Sequence, residues 1–282
     1  MKQTSIFILR MLLLITVAAS ALLAPPEVMA AAPQRIISLA PSLTEIICDL
    51  GLESRIVAVT DYCDYPAGVI NKPKVGGFSN PSLEMIVSLK PDLVVMTVDG
   101  NPQSLDIRLR KMGLKTYIFR ARRIKELPDA IRGLGRALGV GRTAEVRATW
   151  FEGELRGLEK RKQALSKTLP RTAVFVVQPV PLIAAGKETL ADDAFEILGI
   201  ENIGATGGSG YPKFSLEQII RLSPDAFFFG RGNGMEGRAH PLLKRLAVLP
   251  AVQKKKVFFL DEAVYRLGPR IINVLKEMSN CL

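Results

Sequence analysis

Hydrophobic positions in this chain alternate between two rhythms. Arg35–Leu39 is β-branched and alternating, which predicts a strand. Pro41 then opens a helix in which Leu43, Ile46, Ile47 and Leu50 fall at helical spacing, and Gly51 closes it. Ile56–Thr60, Val94–Thr97 and Thr116–Phe119 predict further strands, with helices over Asn101–Met112 and Ile124–Leu138. Strand-helix alternation of this kind predicts a parallel sheet covered by helices. Arg142–Leu169 breaks the rhythm. It has no Pro and is rich in Glu, Arg, Lys, Leu and Ala, so it predicts one long helix ended by Pro170. The alternation then resumes, with strands at Thr172–Val177, Ala226–Phe229 and Val257–Leu260. Helices are predicted at Leu190–Leu198, from His240 to Leu246, and at Pro269–Met278.

One stretch occurs twice. Ser82–Met96 returns as Ser215–Phe229, with Ser, Leu, Glu, Ile, Leu, Pro and Asp in register. Each copy reads as a short helix, a Pro-Asp turn and an apolar strand. Two copies so far apart predict two similar lobes, because a solenoid needs several closely spaced repeats. The fold class is therefore α/β: two similar lobes with mainly parallel sheets, joined by one long α-helix, with a ligand cleft between them. The predicted boundaries are a signal peptide at 1–30, a first lobe at 33–141, a linking helix at 142–169 and a second lobe at 170–282. A helix that packs on both lobes restricts opening to a small angle, unlike a Gly/Ser linker.

Composition narrows the picture. Of the 282 residues, 48% are hydrophobic and 23% charged, which excludes a disordered chain. Lys2 and Arg10 precede the apolar run Met11–Leu23, and Val28-Met29-Ala30 suits signal peptidase. The run is short for a membrane span, so a secretory signal cleaved after Ala30 is expected, and with it a periplasmic protein. No Cys lies near that point, which argues against a lipid anchor. Cleavage lowers the net charge of +11 by one unit. That field favours anionic partners, but the basic residues are scattered, so no nucleic-acid binding is expected. The spacing of Cys48, Cys63 and Cys281 fixes no disulfide and no metal site.

Catalysis has little support. A Ser-His-Asp or Cys-His arrangement would have to use His240, the sole histidine, and no Gly-x-Ser-x-Gly elbow follows a strand. The loop Gly204–Gly210 lacks the Lys-Ser/Thr ending of a phosphate-binding loop. No enzyme activity, resident cofactor or metal is expected. Loops after strands are more informative, since ligands of open α/β sheets bind outside the carboxyl ends of the strands. These loops carry Tyr62, Asp64, Tyr65, Phe78, Tyr211, Glu262 and Tyr265. Aromatics with a few polar groups suit a large, flat, partly apolar ligand. The repeat also places Glu84 and Glu217 in the first turn of equivalent helices. The helix dipole alone favours a carboxylate there, but a two-fold symmetric basic partner would explain the pair.

Several segments together resemble a known family. Arg35–Glu45, Tyr62-Cys63-Asp64-Tyr65-Pro66, Ser82-Leu83-Glu84 with Leu89–Leu93, and Ala185-Gly186-Lys187-Glu188-Thr189 are similar to the periplasmic cobalamin-binding proteins of ABC transporters. These belong to a helix-linked class shared with siderophore and haem binders. The resemblance covers nearly all of the chain after residue 30. It implies a monomeric carrier that captures cobalamin or another corrinoid and delivers it to a permease dimer with its ATPase subunits. It further implies that Glu84 and Glu217 contact arginines on the two permease subunits. Tyr62, Phe78 and Tyr211 match aromatic positions against the corrin ring or its nucleotide tail, and Glu262 matches a polar contact. Two family aromatics are replaced, by Thr97 and Ile183. A ferric-siderophore or haem carrier is the alternative, and would show an arginine cluster or a Tyr/His iron ligand in the cleft.

Overall fold

The computed structural model describes residues 31–165, 172–232 and 234–281. The expected signal segment and the end of the expected linking helix, residues 166–169, lie outside the described residues. Among the described residues no helix is long and apolar enough to cross a membrane.

The first lobe is a four-stranded parallel sheet of order β2-β1-β3-β4, built from β1 (Ile36–Ser38), β2 (Ile56–Val59), β3 (Leu93–Thr97) and β4 (Thr116–Phe119). Its helices are α1 (Pro41–Asp49), α2 (Leu83–Ser88), α3 (Gln103–Lys111) and α4 (Leu127–Ala137). The linking helix α5 (Gly141–Leu165) follows. The second lobe has β5 (Thr172–Gln178), β6 (Ile183–Ala184), α6 (Leu190–Leu198), β7 (Glu201–Asn202), α7 (Leu216–Leu222) and β8 (Ala226–Gly230). It continues with α8 (Met235–Arg245), α9 (Pro250–Gln253), β9 (Val257–Leu260) and α10 (Ile271–Cys281). Its sheet has the order β6-β5-β8-β9, with β7 also on β5, and is parallel except for β6.

Both sheets are covered on two faces, which explains their unbroken apolar strands. In β8, Phe228 packs against Phe195 and Phe258, while Phe227 and Phe229 join Leu242 and Leu246 in a separate cluster. The largest cluster contains Ile36 of β1, Phe151 and Leu155 of α5, and Phe175 of β5, so one core runs from lobe to lobe through the linking helix. Ala144, Ala148, Phe151, Leu155 and Leu158 form its buried stripe. Gly135 of α4 lets α5 approach so closely that a Cβ there would collide with Ala144. Ion pairs fasten α5 on both sides, through Arg132 to Glu145 and Glu152, Asp49 to Arg147, and Lys276 to Glu154.

The repeat holds at the level of single atoms. Ser82 caps α2 by accepting from Met85 N–H, and Ser215 caps α7 by accepting from Gln218 N–H. Lys90 and Ser223, each the residue before the repeated Pro-Asp, both adopt left-handed backbone, at φ 47° and 44°. The aspartates then do equivalent work. Asp92 Oδ2 accepts from Arg35 N–H at 2.8 Å ahead of β1, and Asp225 Oδ2 accepts from Thr172 N–H at 3.0 Å at the start of β5.

One predicted element starts in the wrong place. The helix expected to begin at His240 begins five residues earlier, at Met235, with Pro241 in its interior. Proline is most at home in a first turn, which is why the pattern suggested a start there. His240 stands exposed in mid-helix. The three cysteines are unpaired.

Candidate functional site

Chain topology brings the loops after strands to one place. In a parallel sheet the loops at the carboxyl ends of the strands share an edge. In the first lobe that edge carries Tyr62 beyond β2, Pro41 and Ser42 beyond β1, Asp99 beyond β3, and Arg122 and Arg123 beyond β4. Across from it stand residues of the second lobe, and two cavities lie between them.

The first cavity, about 530 Å³, is aromatic. Pro41, Tyr62, Phe78 and Asn80 line one wall, and Tyr265, Arg266 and Leu267 the other. Tyr62 is 66% exposed and Tyr265 44%, an unusual display of ring surface for a folded chain. The tip of the Phe78 ring abuts Gly100, where any Cβ would strike it. Asn101, almost fully buried, holds this floor together. Its Nδ2 donates to the carbonyls of Leu39 and Phe78, at 2.9 and 2.8 Å, while its Oδ1 accepts from Thr97 N–H at 2.8 Å. Tyr265 packs edge-on against Phe175 and over Gly230. Burial, and secondarily the nearby Tyr211, push its hydroxyl above the ordinary range, against a lowering backbone hydrogen bond at Gly230.

The second cavity, about 840 Å³, is charged. Asp99, Arg122, Arg123 and Glu126 line it from the first lobe, and Lys187, Glu188, Asp192, Asp193 and Glu196 from the second. The two cavities adjoin on the first-lobe wall. Phe78 sits on Gly100, the neighbour of Asp99. Opposite, Tyr211 follows Gly210, whose N–H donates to Lys187 C=O at 2.9 Å.

Arginine clamps close both ends of this cleft. Arg266 of the second lobe donates to Asp64 at 2.6 and 2.9 Å and to Glu45 at 3.1 Å. Arg270 donates to Glu45 at 2.7 and 3.0 Å and stacks on Tyr65 with its guanidinium 4.1 Å from the ring centre. The Glu45 side chain is only 2% exposed, so these arginines supply the bonds that water cannot. At the other end Arg123 of the first lobe donates to Asp193 at 2.6 Å and to Glu196 at 2.5 Å. Neither arginine cluster was evident from sequence. A glutamate one position from Ile46 in the buried half of α1, and two arginines flanking Gly268-Pro269, were the available signals.

The expected site residues divide accordingly. Tyr62 and Phe78 line the aromatic cavity. Tyr211 is 60% exposed and close enough to Tyr265 to influence its titration. Glu262 stands 4.0 Å from Arg266, beside Gly232. Asp64 is engaged by Arg266, so its carboxylate joins the lobes. That bond holds its carboxyl below the ordinary range. Glu84 and Glu217 are exposed and occupy the same place in α2 and α7. Glu217 is drawn back onto the start of its own helix: its backbone N–H first, then Ser215, lower its pKa. It also borders a small hollow with Pro181, Phe214 and Arg245. Ile183 is half-buried in β6, and Thr97 is held by Asn101.

Two lobes on a rigid helix, with a cleft at facing strand ends, match one family along most of the chain. The periplasmic binding protein family covers residues 36–264. The chain belongs to that family. Among family members, the vitamin B12-binding protein of Vibrio vulnificus is 30% identical over 269 residues, 93% of this chain and 95% of that one. An ABC transporter substrate-binding lipoprotein of Bacillus subtilis is 28% identical over 89% of this chain and 80% of its own length. Among solved structures, the periplasmic vitamin B12-binding protein BtuF of Vibrio cholerae superposes with a TM-score of 0.75 at 28% identity, over 89% of this chain and 96% of that one. The periplasmic haem-binding protein RhuT of Roseiflexus, in apo form, superposes at 0.79 with 26% identity, over 88% and 97%. The two-lobed periplasmic-binding fold is common to both.

Proposed function

We propose that this chain is the substrate-binding component of an ABC importer, that it works in the periplasm, and that it carries cobalamin or a related corrinoid. The observation that carries the reading is the aromatic half of the cleft. Tyr62 and Phe78 on one wall and Tyr265 on the other leave ring surface exposed around about 530 Å³ of open space. A flat macrocycle between them would bury that surface on both of its faces. Similarity to a vitamin B12-binding protein over 93% of the chain supports the same cargo.

The chain does no chemistry on its cargo. Tyr62, Phe78, Tyr211 and Tyr265 hold the ring, and Glu262 accepts a hydrogen bond from its edge. The continuous core through α5 limits closure to a small rotation. Asp64 contributes to the cleft indirectly, by fixing Arg266. Glu84 and Glu217 dock the loaded carrier onto two arginine-bearing permease subunits. Each lies in the first turn of a helix that starts at the carboxyl edge of its own sheet, which would present the pair to one symmetric partner.

The resemblance in fold to haem binders makes haem the competing cargo. The test is to mix the purified protein with cyanocobalamin, or separately with haemin, and desalt. Cobalamin absorbance should co-elute with protein. Co-elution of haemin alone would replace this reading with the haem one.

A further inference from the structure

The arginines of the cleft are already spoken for, and that bears on which macrocycles it admits. Three cations line the charged cavity, against six carboxylates. Arg122 is bonded to Asp99 at 2.8 Å, and Arg123 to Asp193 and Glu196. At the aromatic end Arg266 is held by Asp64 and Glu45. Among the described residues, Lys187 is the lining cation without an ion-pair partner. The carboxylates are less fully used. Glu126 accepts from the N–H groups of Arg122 and Arg123, and Asp192 from Glu188 N–H and Asn202. Glu188 has an exposed side chain with no ion pair among the described residues, and Glu262 comes no closer than 4.0 Å to Arg266.

Glu188 stands out on its backbone as well. Its φ is 63°, in the left-handed region that favours Gly or Asn. The turn is forced from both sides. Gly186 packs so tightly on Gly208 that a Cβ would collide with its carbonyl, Lys187 N–H donates to Gly208 C=O at 2.9 Å, and Glu188 N–H donates to Asp192 at 3.1 Å. Backbone conformation therefore gives no reason for a glutamate here. What the position does provide is an exposed carboxylate residue in the lining of a cavity bordered by both lobes.

We propose that the cleft selects macrocycles by the chemistry of their rim, admitting rims of neutral amides and rejecting rims of carboxylates, with Glu188 as a residue that sets this preference. The inference rests on the corrinoid reading above. Amide NH₂ groups and hydroxyls donate to the spare acceptors Glu126, Glu188 and Glu262. A carboxylate at the same place would lose water, meet like charge and find the arginines already paired, with Lys187 alone left to set against the spare carboxylates. The positive charge of the whole chain does not reverse this, because the local balance in the cleft is acidic.

The experiment is calorimetric titration of the purified protein with cyanocobalamin and with its monocarboxylic acids, in which one side-chain amide has been hydrolysed to the acid. The acids should bind more weakly, on the order of tenfold for the isomer whose acid meets the charged wall. In Glu188→Gln the ratio of acid to amide affinity should narrow severalfold, whatever happens to the absolute values. Equal binding of amide and acid forms, or an unchanged ratio in Glu188→Gln, would overturn this inference and leave the corrinoid reading standing. Failure of cyanocobalamin itself to bind would overturn both.

Discussion

Arg270 donates two hydrogen bonds to Glu45, at 2.7 and 3.0 Å, from the second lobe into the first. The acceptor is buried and the donor is 18% exposed, so the bond joins the lobes where solvent is scarce. With Arg266 on the same carboxylate, it closes one end of the cleft as Arg123 on Asp193 closes the other.

Removing one partner from this cluster should be costly. Arg270→Ala leaves Glu45 with Arg266 alone and should lower stability by about 2–3 kcal/mol, as expected for charged hydrogen bonds lost in a buried setting. Urea unfolding measures it. A loss below about 0.5 kcal/mol, the usual range for surface changes, would mean that the cluster does not hold the lobes.

The Asp64–Arg266 pair gives a pH dependence of definite sign. The folded pKa of Asp64 lies below its ordinary value of 3.8, chiefly through the hydrogen bond from Arg266. Its contribution to stability is therefore present above that value and lost as pH falls through the folded one. Asp64→Asn should flatten the acid limb of the stability profile below about pH 4, with little change in its slope above pH 5. An identical acid limb in the variant would contradict the assignment.

The repeated aspartates invite a paired test. Asp92→Ala and Asp225→Ala each strip acceptors from strand-start N–H groups in exposed surroundings, where water replaces part of the loss. Each should cost about 1 kcal/mol, and the two should add, because they stand in separate lobes. Strong non-additivity in unfolding would show that the lobes share the turn's energy.

Docking makes a separate demand. Glu84→Ala combined with Glu217→Ala should leave cargo affinity intact while cutting uptake in cells that depend on this carrier. The salt sensitivity of carrier binding to the permease should also fall, since exposed ion pairs are screened. Uptake at the wild-type rate would remove both glutamates from the docking surface.

Much of the architecture was legible in the pattern of residues. Leu190–Leu198 matches the helix observed, because Thr189 caps it and Gly199 takes the left-handed turn at its end. The long helix was legible from its lack of Pro and its composition. The strands β6 and β7 were not, because two residues carry no period and are made by pairing, both with β5 and β6 also with Lys213. In the site, the aromatics were legible as loop residues after strands. Asn101, which fixes Phe78 through a backbone carbonyl, gave no such signal. Nor did the clamps, since Glu45 and Arg270 are far apart in sequence and meet only when the lobes face each other.

The proposed carrier must bind a corrinoid between the aromatic walls. Titrating cyanocobalamin into the wild-type protein and into a Tyr62→Ala, Phe78→Ala, Tyr265→Ala variant tests it most directly. One bound molecule per chain is expected in the wild type, and a loss of at least about a hundredfold in affinity in the variant, roughly the truncation of three stacking rings. Absence of binding by the wild type, or undiminished binding by the variant, would contradict it.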